Sequence, residues 1–285
     1  MEGKEYMKIN LHIHSKCSDG SLAVKALANK MKQCRYSMIS LTDHDTVDGI
    51  QDMTESCRSL EISFVPGIEM TSFVPRELNI YDDTYKVHIL GLNIDSSKMQ
   101  MYLNAHNANR DKYHLNILLH YGVDIAAVID KKKIGNRVFC AELLVNHGYF
   151  SSIEEALAQF HTSEYLPSVD EVIKEIHDSG GLAIWAHPFL LPRNGGYKID
   201  SKTVEVIAKH FVKYGLDGME GYYLQFSEEE QSFVASLCKQ WNLYCSTGTD
   251  YHADYEWEEE LLRVNGKTDS KLIDYLKSRN ERRIV

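Results

Sequence analysis

Nine residues in this chain carry side chains suited to holding metal ions: His12, His14, Asp19, His44, Glu69, His88, His187, Asp250 and His252. Each falls at or just after a segment that reads as a β-strand. The pairs His12/His14 and Asp250/His252 are spaced i, i+2, which puts both members on one face of an extended backbone. Neutral imidazoles and carboxylates are the natural donors for Zn, Mn or Fe. A lone H-x-H is weak evidence, and a single residue such as His88 is more often structural. The recurrence at strand ends argues for a shared centre. Nine donors exceed the needs of one tetrahedral ion, so the set predicts two or three divalent ions sharing a bridging carboxylate. Glu69, central in the order, is the candidate bridge.

The elements that must position these residues follow from hydrophobic period. Met7–His14 alternates, with Ile9, Leu11 and Ile13 on one face and Asn10, His12 and His14 on the other, the pattern of a strand. Leu27, Ala28, Met31 and Cys34 then recur at helical spacing, with Ser21 a candidate N-cap. Met38–Leu41 is a strand leading into the Thr42-Asp43-His44-Asp45 loop, and a helix runs to about Leu60. Strands at Ile62–Ile68 and Val87–Leu92 follow. From about Lys98 to Glu164 strand patterns vanish, and helices are predicted at Met101–Tyr121, Arg137–His147 and Ile153–Phe160. The βα alternation then resumes, with strands at Leu182–Ala186, Gly218–Tyr222 and Leu243–Thr247 and a last helix at Leu272–Arg279. Strands alternating with helices predict parallel pairing and an active site at the carboxyl ends of the strands. Seven strands suggest an incomplete (β/α) barrel over residues 1–97 and 169–285, with a helical insertion at 98–168.

Composition sets outer bounds. Lys plus Arg is 31 and Asp plus Glu is 41, a formal net charge of −10. That balance argues against a grip on long nucleic acid. None of the six cysteines forms a C-x-x-C pair. The first residues are charged, with no apolar core of a signal peptide, and no apolar run approaches the length of a membrane span. Free thiols, a cytoplasmic location and no membrane partner are expected.

The runs INLHIHSKCSDGSL, ISLTDHDTVDGI, VPGIEM, VHILGL, AIWAHP, GLDGMEGYY and STGTDYHA, in this order, resemble the PHP (polymerase and histidinol phosphatase) family of metal-dependent phosphoesterases. The nearest branch comprises small bacterial enzymes acting on nucleoside bisphosphates and short RNA ends. The resemblance implies a distorted α/β barrel of the (β/α)7 type with a trinuclear site, covered by the insertion. It places His12, His14, Glu69 and Asp250 on one ion. Glu69, His88 and His187 would hold a second, and Asp19, His44 and His252 a third, the ions being Mn, Fe or Zn. It implies a metal-bridging hydroxide as nucleophile, with Asp43, His44 and His252 as candidate assistants, and a small phosphorylated substrate. Arg137 matches a substrate-facing arginine of a family G-R-P-H helix start, which here reads Asn136-Arg137-Val138-Phe139. Phe139 stands where the family has histidine, and the lysine that precedes the family's Tyr-x-Pro is absent before Tyr165. Arg193 is a second candidate phosphate ligand. Glu220 reads either as support for a ligand or as a solvated rim acid, and Cys17 as a loop filler.

The leading expectation is a phosphoesterase acting on a small metabolite or nucleotide. The alternatives are an exonuclease trimming short oligonucleotides and a cyclic-phosphate phosphodiesterase. An amidohydrolase-type site also begins with H-x-H, but it needs a strand-end lysine that this chain lacks. A non-catalytic metal-binding regulator would be expected to have lost ligands, and all nine are present.

Overall fold

In the computed structural model of the chain, residues 7–73, 78, 86–128, 134–161, 164–191, 197–253, 261 and 268–283 are described. The first strand, β1 (Lys8–Ile13), is buried from Ile9 onward on both faces, as expected of a strand inside a layered α/β fold. The order continues α1 (Val24–Gln33), β2 (Tyr36–Leu41), α2 (Ile50–Leu60), β3 (Ser63–Phe73) and β4 (Lys86–Leu92). The helical stretch holds α3 (Ser96–His120), a 3-10 turn at Ile125–Ala127, α4 (Arg137–Asn146) and α5 (Ile153–Leu157). Then come α6 (Val169–Asp178), β5 (Leu182–Trp185), the short hairpin β6 (Leu190–Leu191) and β7 (Tyr197–Lys198), and α7 (Ser201–Lys213). The chain ends with β8 (Gly218–Tyr223), α8 (Glu228–Trp241), β9 (Tyr244–Gly248) and α9 (Ser270–Arg283).

Seven strands form one sheet in the order β1-β2-β3-β4-β5-β8-β9. The two edges meet: the His14 amide donates to the Tyr251 carbonyl at 2.9 Å and the Asp250 amide to the His12 carbonyl at 3.0 Å. The sheet is therefore a nearly closed barrel, and this closure brings the D-x-H segment beside the H-x-H strand.

Pairing departs from the all-parallel expectation at one strand. β4 runs antiparallel to both neighbours, in register from Gly67↔Leu92 to Phe73↔Lys86 with β3 and from Ile89↔Trp185 to Leu92↔Leu182 with β5. The physical reason is that β3 continues past Glu69 to Phe73, so β4 pairs along its second half. Glu69 is thus mid-strand, and β4 presents its amino end, not its carboxyl end, at the same rim. That places His88, near the start of β4, beside Glu69.

The core is layered around this sheet. Ile9, Leu11, Leu90 and Leu92 pack with Leu272 and Leu276 of α9. On another side, α6 buries Val169, Val172, Ile173 and Ile176. Its first turn is capped by Ser168, whose amide donates to Glu171 at 2.9 Å. The 25-residue α3 starts on the barrel, with Met99 and Leu103 in the main cluster. It ends in a separate cluster with Leu118, Cys140, Ala141, Leu144 and Phe160. At 1.5 Å per residue it extends about 37 Å, enough to carry residues from the barrel wall to a helical layer above its mouth. Among the described residues no helix is long and apolar enough to cross a membrane.

Candidate metal centre

The nine sequence-predicted donors converge at the barrel mouth. Glu69, fully buried, is their hub. Its Oε2 lies 3.2 Å from His12 Nε2, 3.1 Å from His14 Nε2 and 3.2 Å from His44 Nδ1. Its Oε1 lies 2.9 Å from His88 Nδ1 and 3.2 Å from His187 Nε2. Asp250 Oδ1 sits 3.3 Å from His12 Nε2 and 3.0 Å from His14 Nε2. Asp19 joins at the outer side, its Oδ1 3.1 Å from His252 Nε2 and its Oδ2 3.6 Å from His44 Nε2.

Donor atoms fall into three overlapping groups: His12, His14, Glu69 and Asp250; His44, Glu69 and His88; and His14, Asp19, His44 and His252. The first group tests the fit of a metal most directly. Its two imidazole nitrogens stand 3.1 Å apart, and Glu69 Oε2 and Asp250 Oδ1 are buried without a hydrogen-bond partner. Lone pairs crowd one point without hydrogen-bond geometry between them. Ligands 2.0–2.1 Å from a tetrahedral ion stand ~3.3 Å apart, close to the spacings above. The donors fit divalent metal.

For three of the six rings the surrounding groups fix which nitrogen is offered. His12 Nδ1 faces Glu220 Oε1 at 3.1 Å, His187 Nδ1 faces the Leu190 carbonyl at 3.1 Å, and His252 Nδ1 faces the Asp250 carbonyl at 2.8 Å. Each acceptor holds the proton on Nδ1 and leaves the Nε2 lone pair pointing inward, the usual arrangement around ligating histidines. Glu220 is fully buried, which removes the rim-acid reading, and its Oε2 also accepts from the His187 amide at 2.8 Å. Gly248 is required here, because a Cβ at that position would collide with Glu220 and His12. His187 and Asp250 have φ of 31° and 53°, left-handed values that cost a non-glycine residue of order 1–3 kcal/mol and mark strain held by the surrounding structure. Glu220→Gln is expected to weaken metal affinity about 10–100-fold, more than it lowers turnover at saturating metal. Calorimetric metal titration beside kcat measured at high metal checks this; a kcat loss with unchanged affinity would assign Glu220 a different job.

Electrostatics agree with a site built for cations. Burial opposes charge on Glu69, yet His12, His44 and His88 hold it well below the usual carboxylate range. Burial likewise opposes charge on His14, yet Asp250 and Glu69 raise it to about 9. Burial drives His44 down to about 4. Asp43 has a different place from the one its position beside His44 suggests: both oxygens are engaged by the Ser15 amide and the Ser15 and Ser18 hydroxyls, each at 2.7 Å. It anchors the loop between His14 and Asp19.

Beside the donors lies a cavity of about 400 Å³ lined by His44, His88, Lys86, Arg110, Arg137 and Tyr165, among others. Arg137, from the first turn of α4, therefore reaches the site, where Tyr165 is its hydrogen-bond partner. Phe139 is not among the lining residues. Arg193 lies outside the described residues. Sequence reasoning missed Lys86 and Arg110. Lys86 had a signal, being two residues before His88 and so on the same strand face. Arg110 had none beyond its place on a long helix.

Known proteins share this frame. The chain is 27% identical to the 5'-3' exoribonuclease Rnm of Escherichia coli K12, over 88% of this chain and 87% of that one. It is 23% identical to a 3',5'-nucleoside bisphosphate phosphatase of Chromobacterium violaceum, over 87% and 88%. A Chromobacterium violaceum amidohydrolase structure with bound sulfate and no metal shares the fold, with a TM-score of 0.65 at 22% identity over 95% of this chain and 96% of that one. The family model for the PHP domain matches residues 10–216, a span that includes seven of the nine donors and leaves Asp250 and His252 to be placed by the closure of β9 onto β1. With that match over most of its length, the chain belongs to the PHP domain family.

Proposed function

We propose that this protein is a metal-dependent phosphoesterase that hydrolyses a phosphate ester of a small metabolite or nucleotide. The observation that carries the reading is the Glu69-centred donor set opening onto a cation-lined cavity. His12, His14, Glu69 and Asp250 would hold one ion; Glu69, His88 and His187 a second; Asp19, His44 and His252 a third. Bound divalent ions of the Mn, Fe or Zn type supply water activation at neutral pH and neutralise phosphoryl charge. The chain does the rest. Glu220 and the Asp250 carbonyl hold ring tautomers, Asp43 fixes the Asp19 loop, and Arg137 orients the phosphate. Arg193 is kept as a second phosphate ligand. A cavity of about 400 Å³ is at the lower end of small-ligand sites and suits one nucleotide, not a duplex. Six free cysteines fit a reducing compartment such as the cytoplasm.

The test is phosphate release from adenosine 3',5'-bisphosphate, adenosine monophosphates and cyclic phosphates, after chelation and after Mn²⁺ add-back. Hydrolysis that vanishes with chelation and returns with metal is expected, and Arg137→Ala should raise KM about tenfold or more through loss of a charged hydrogen bond. Hydrolysis indifferent to chelation, or none with full metal occupancy, would overturn the reading. A second reading, removal of single nucleotides from a short RNA end, is favoured by the likeness to the exoribonuclease. Mononucleotide release from a 5'-phosphorylated oligoribonucleotide in the same assay separates the two.

A further inference from the structure

We infer that Tyr223 is a positioning residue that holds Asp250 to a single ligating oxygen, and that a bulge in β8 aims it there. The inference rests on the proposed metal reading of the donor set and adds a residue that the set does not include. Every strand of the barrel sheet except β8 carries a donor or leads directly into one. β8 instead holds donors supplied by its neighbours. Glu220 faces His12 Nδ1 at 3.1 Å and accepts from the His187 amide at 2.8 Å. Further along the same strand, the Tyr223 hydroxyl donates to Asp250 Oδ2 at 3.2 Å.

Glu220 and Tyr223 are an odd number of residues apart, which on a regular strand would put them on opposite faces. The pairing of β8 with β9 removes that conflict. Glu220 lies opposite Ser246 and Tyr222 opposite Thr247, so two steps on β8 match one on β9, and the ladder resumes with Tyr223 opposite Gly248. The extra residue is Gly221, where a Cβ would stand 2.4 Å from Cys245 Sγ. Such a bulge re-aims the side chains beyond it. Glu220 and Tyr223 are both buried, while Tyr222 between them is half-buried. The Tyr223 ring is fixed edge-on to Phe226 at 5.0 Å and tilted against His187 at 5.8 Å.

Asp250 needs such a hold, because its side chain is 21% exposed on a backbone with φ of 53°. Its Oδ1 faces His12 and His14 and has no hydrogen-bond partner; Tyr223 engages the other oxygen. A carboxylate with both oxygens free can take one or two positions on a divalent ion. With one oxygen held by a hydroxyl that is protonated at neutral pH, it offers only the other. A catalytic ion needs a position left open for water, and Tyr223 keeps Asp250 from filling it.

The test reads metal binding by the full chain, without substrate. Calorimetry gives the Mn²⁺ affinity of chelated protein, and the visible absorption of bound Co²⁺ reports how many ligands surround the ion. Tyr223→Phe keeps the ring and removes only the hydroxyl. Its Mn²⁺ affinity should fall about tenfold or more, and its Co²⁺ spectrum should change as the freed Asp250 oxygen alters the coordination. Phe226→Leu loosens the packing of the ring and keeps the hydroxyl. It should bind Mn²⁺ within about threefold of wild type and give the wild-type Co²⁺ spectrum. A Tyr223→Phe affinity within that same range, an unaltered Co²⁺ spectrum in Tyr223→Phe, or an equal loss in Phe226→Leu would each overturn the inference and leave the metal reading standing. Wild-type protein that takes up neither Mn²⁺ nor Co²⁺ would overturn the metal reading, and the role given to Tyr223 with it.

Discussion

Glu69→Gln should leave a folded protein with depleted metal and a kcat lowered by about three orders of magnitude. One carboxylate serves five imidazoles: Oε2 faces His12, His14 and His44, and Oε1 faces His88 and His187. Glutamine keeps the shape and removes both the charge and one acceptor oxygen. Its amide hydrogens then point at nitrogens whose lone pairs should face an ion. Because Glu69 is shared by two donor groups, the loss is not confined to one ion. Charge stabilisation by metal is worth several kcal/mol, and each 1.36 kcal/mol is tenfold in rate, which gives the expected size. The side chain is fully buried, so the fold must be checked beside the chemistry. Metal per chain by elemental analysis, the melting temperature and kcat with added Mn²⁺ suffice. A folded variant with wild-type metal content and activity within tenfold would remove Glu69 from its central place.

The parts of this site visible in the sequence are those set by local geometry. The alternation of β1 put His12 and His14 on one face because a strand has period two, and the βα order of the two halves followed from equally local periods. What stayed hidden depends on contacts between distant segments. That β4 runs antiparallel is a matter of pairing with β3 and β5, which the Val87–Leu92 run does not encode by itself, and it changes which end of the strand carries His88. Glu220, inside β8, has two possible environments until β9 closes on β1. Asp43 looks like a catalytic neighbour of His44 until Ser15 and Ser18 are seen on its oxygens. The cationic cavity is the extreme case. Lys86, Arg110 and Arg137 come from three elements spread over 52 positions, and only the return of α4 against α3 makes them neighbours.

Metal affinity should climb steeply between pH 6.5 and 9, and the metal-free fold should weaken over the same window. His14 is raised to about 9 in the metal-free protein, where burial is outweighed by Asp250 and Glu69, against about 6.5 in an unfolded chain. A raised histidine stabilises the fold fully below the unfolded value, and that contribution is lost as pH rises through 9. A metal needs the same lone pair bare, so it must displace this proton, and one displaced proton makes affinity rise about tenfold per pH unit until pH 9. His12 is also held well above its ordinary value, by Glu69, Glu220 and Asp250 against burial, and His187 is raised by Glu69 against burial. The slope should therefore exceed one. His44, driven by burial to about 4, is already neutral and adds nothing. Glu69 and Asp250, held below their usual range by the neighbouring histidines despite burial, stay ionised throughout and supply the charge that the incoming ion replaces the protons to meet. Calorimetric titration with Mn²⁺ at several pH values, in buffers of different ionisation enthalpy, reads affinity and proton release together. Melting curves of chelated protein read the opposing trend: a midpoint that falls from pH 6.5 to 9 without metal and recovers with it. Affinity that is flat across this window, or binding that releases no protons, would mean that His12 and His14 do not face the ion.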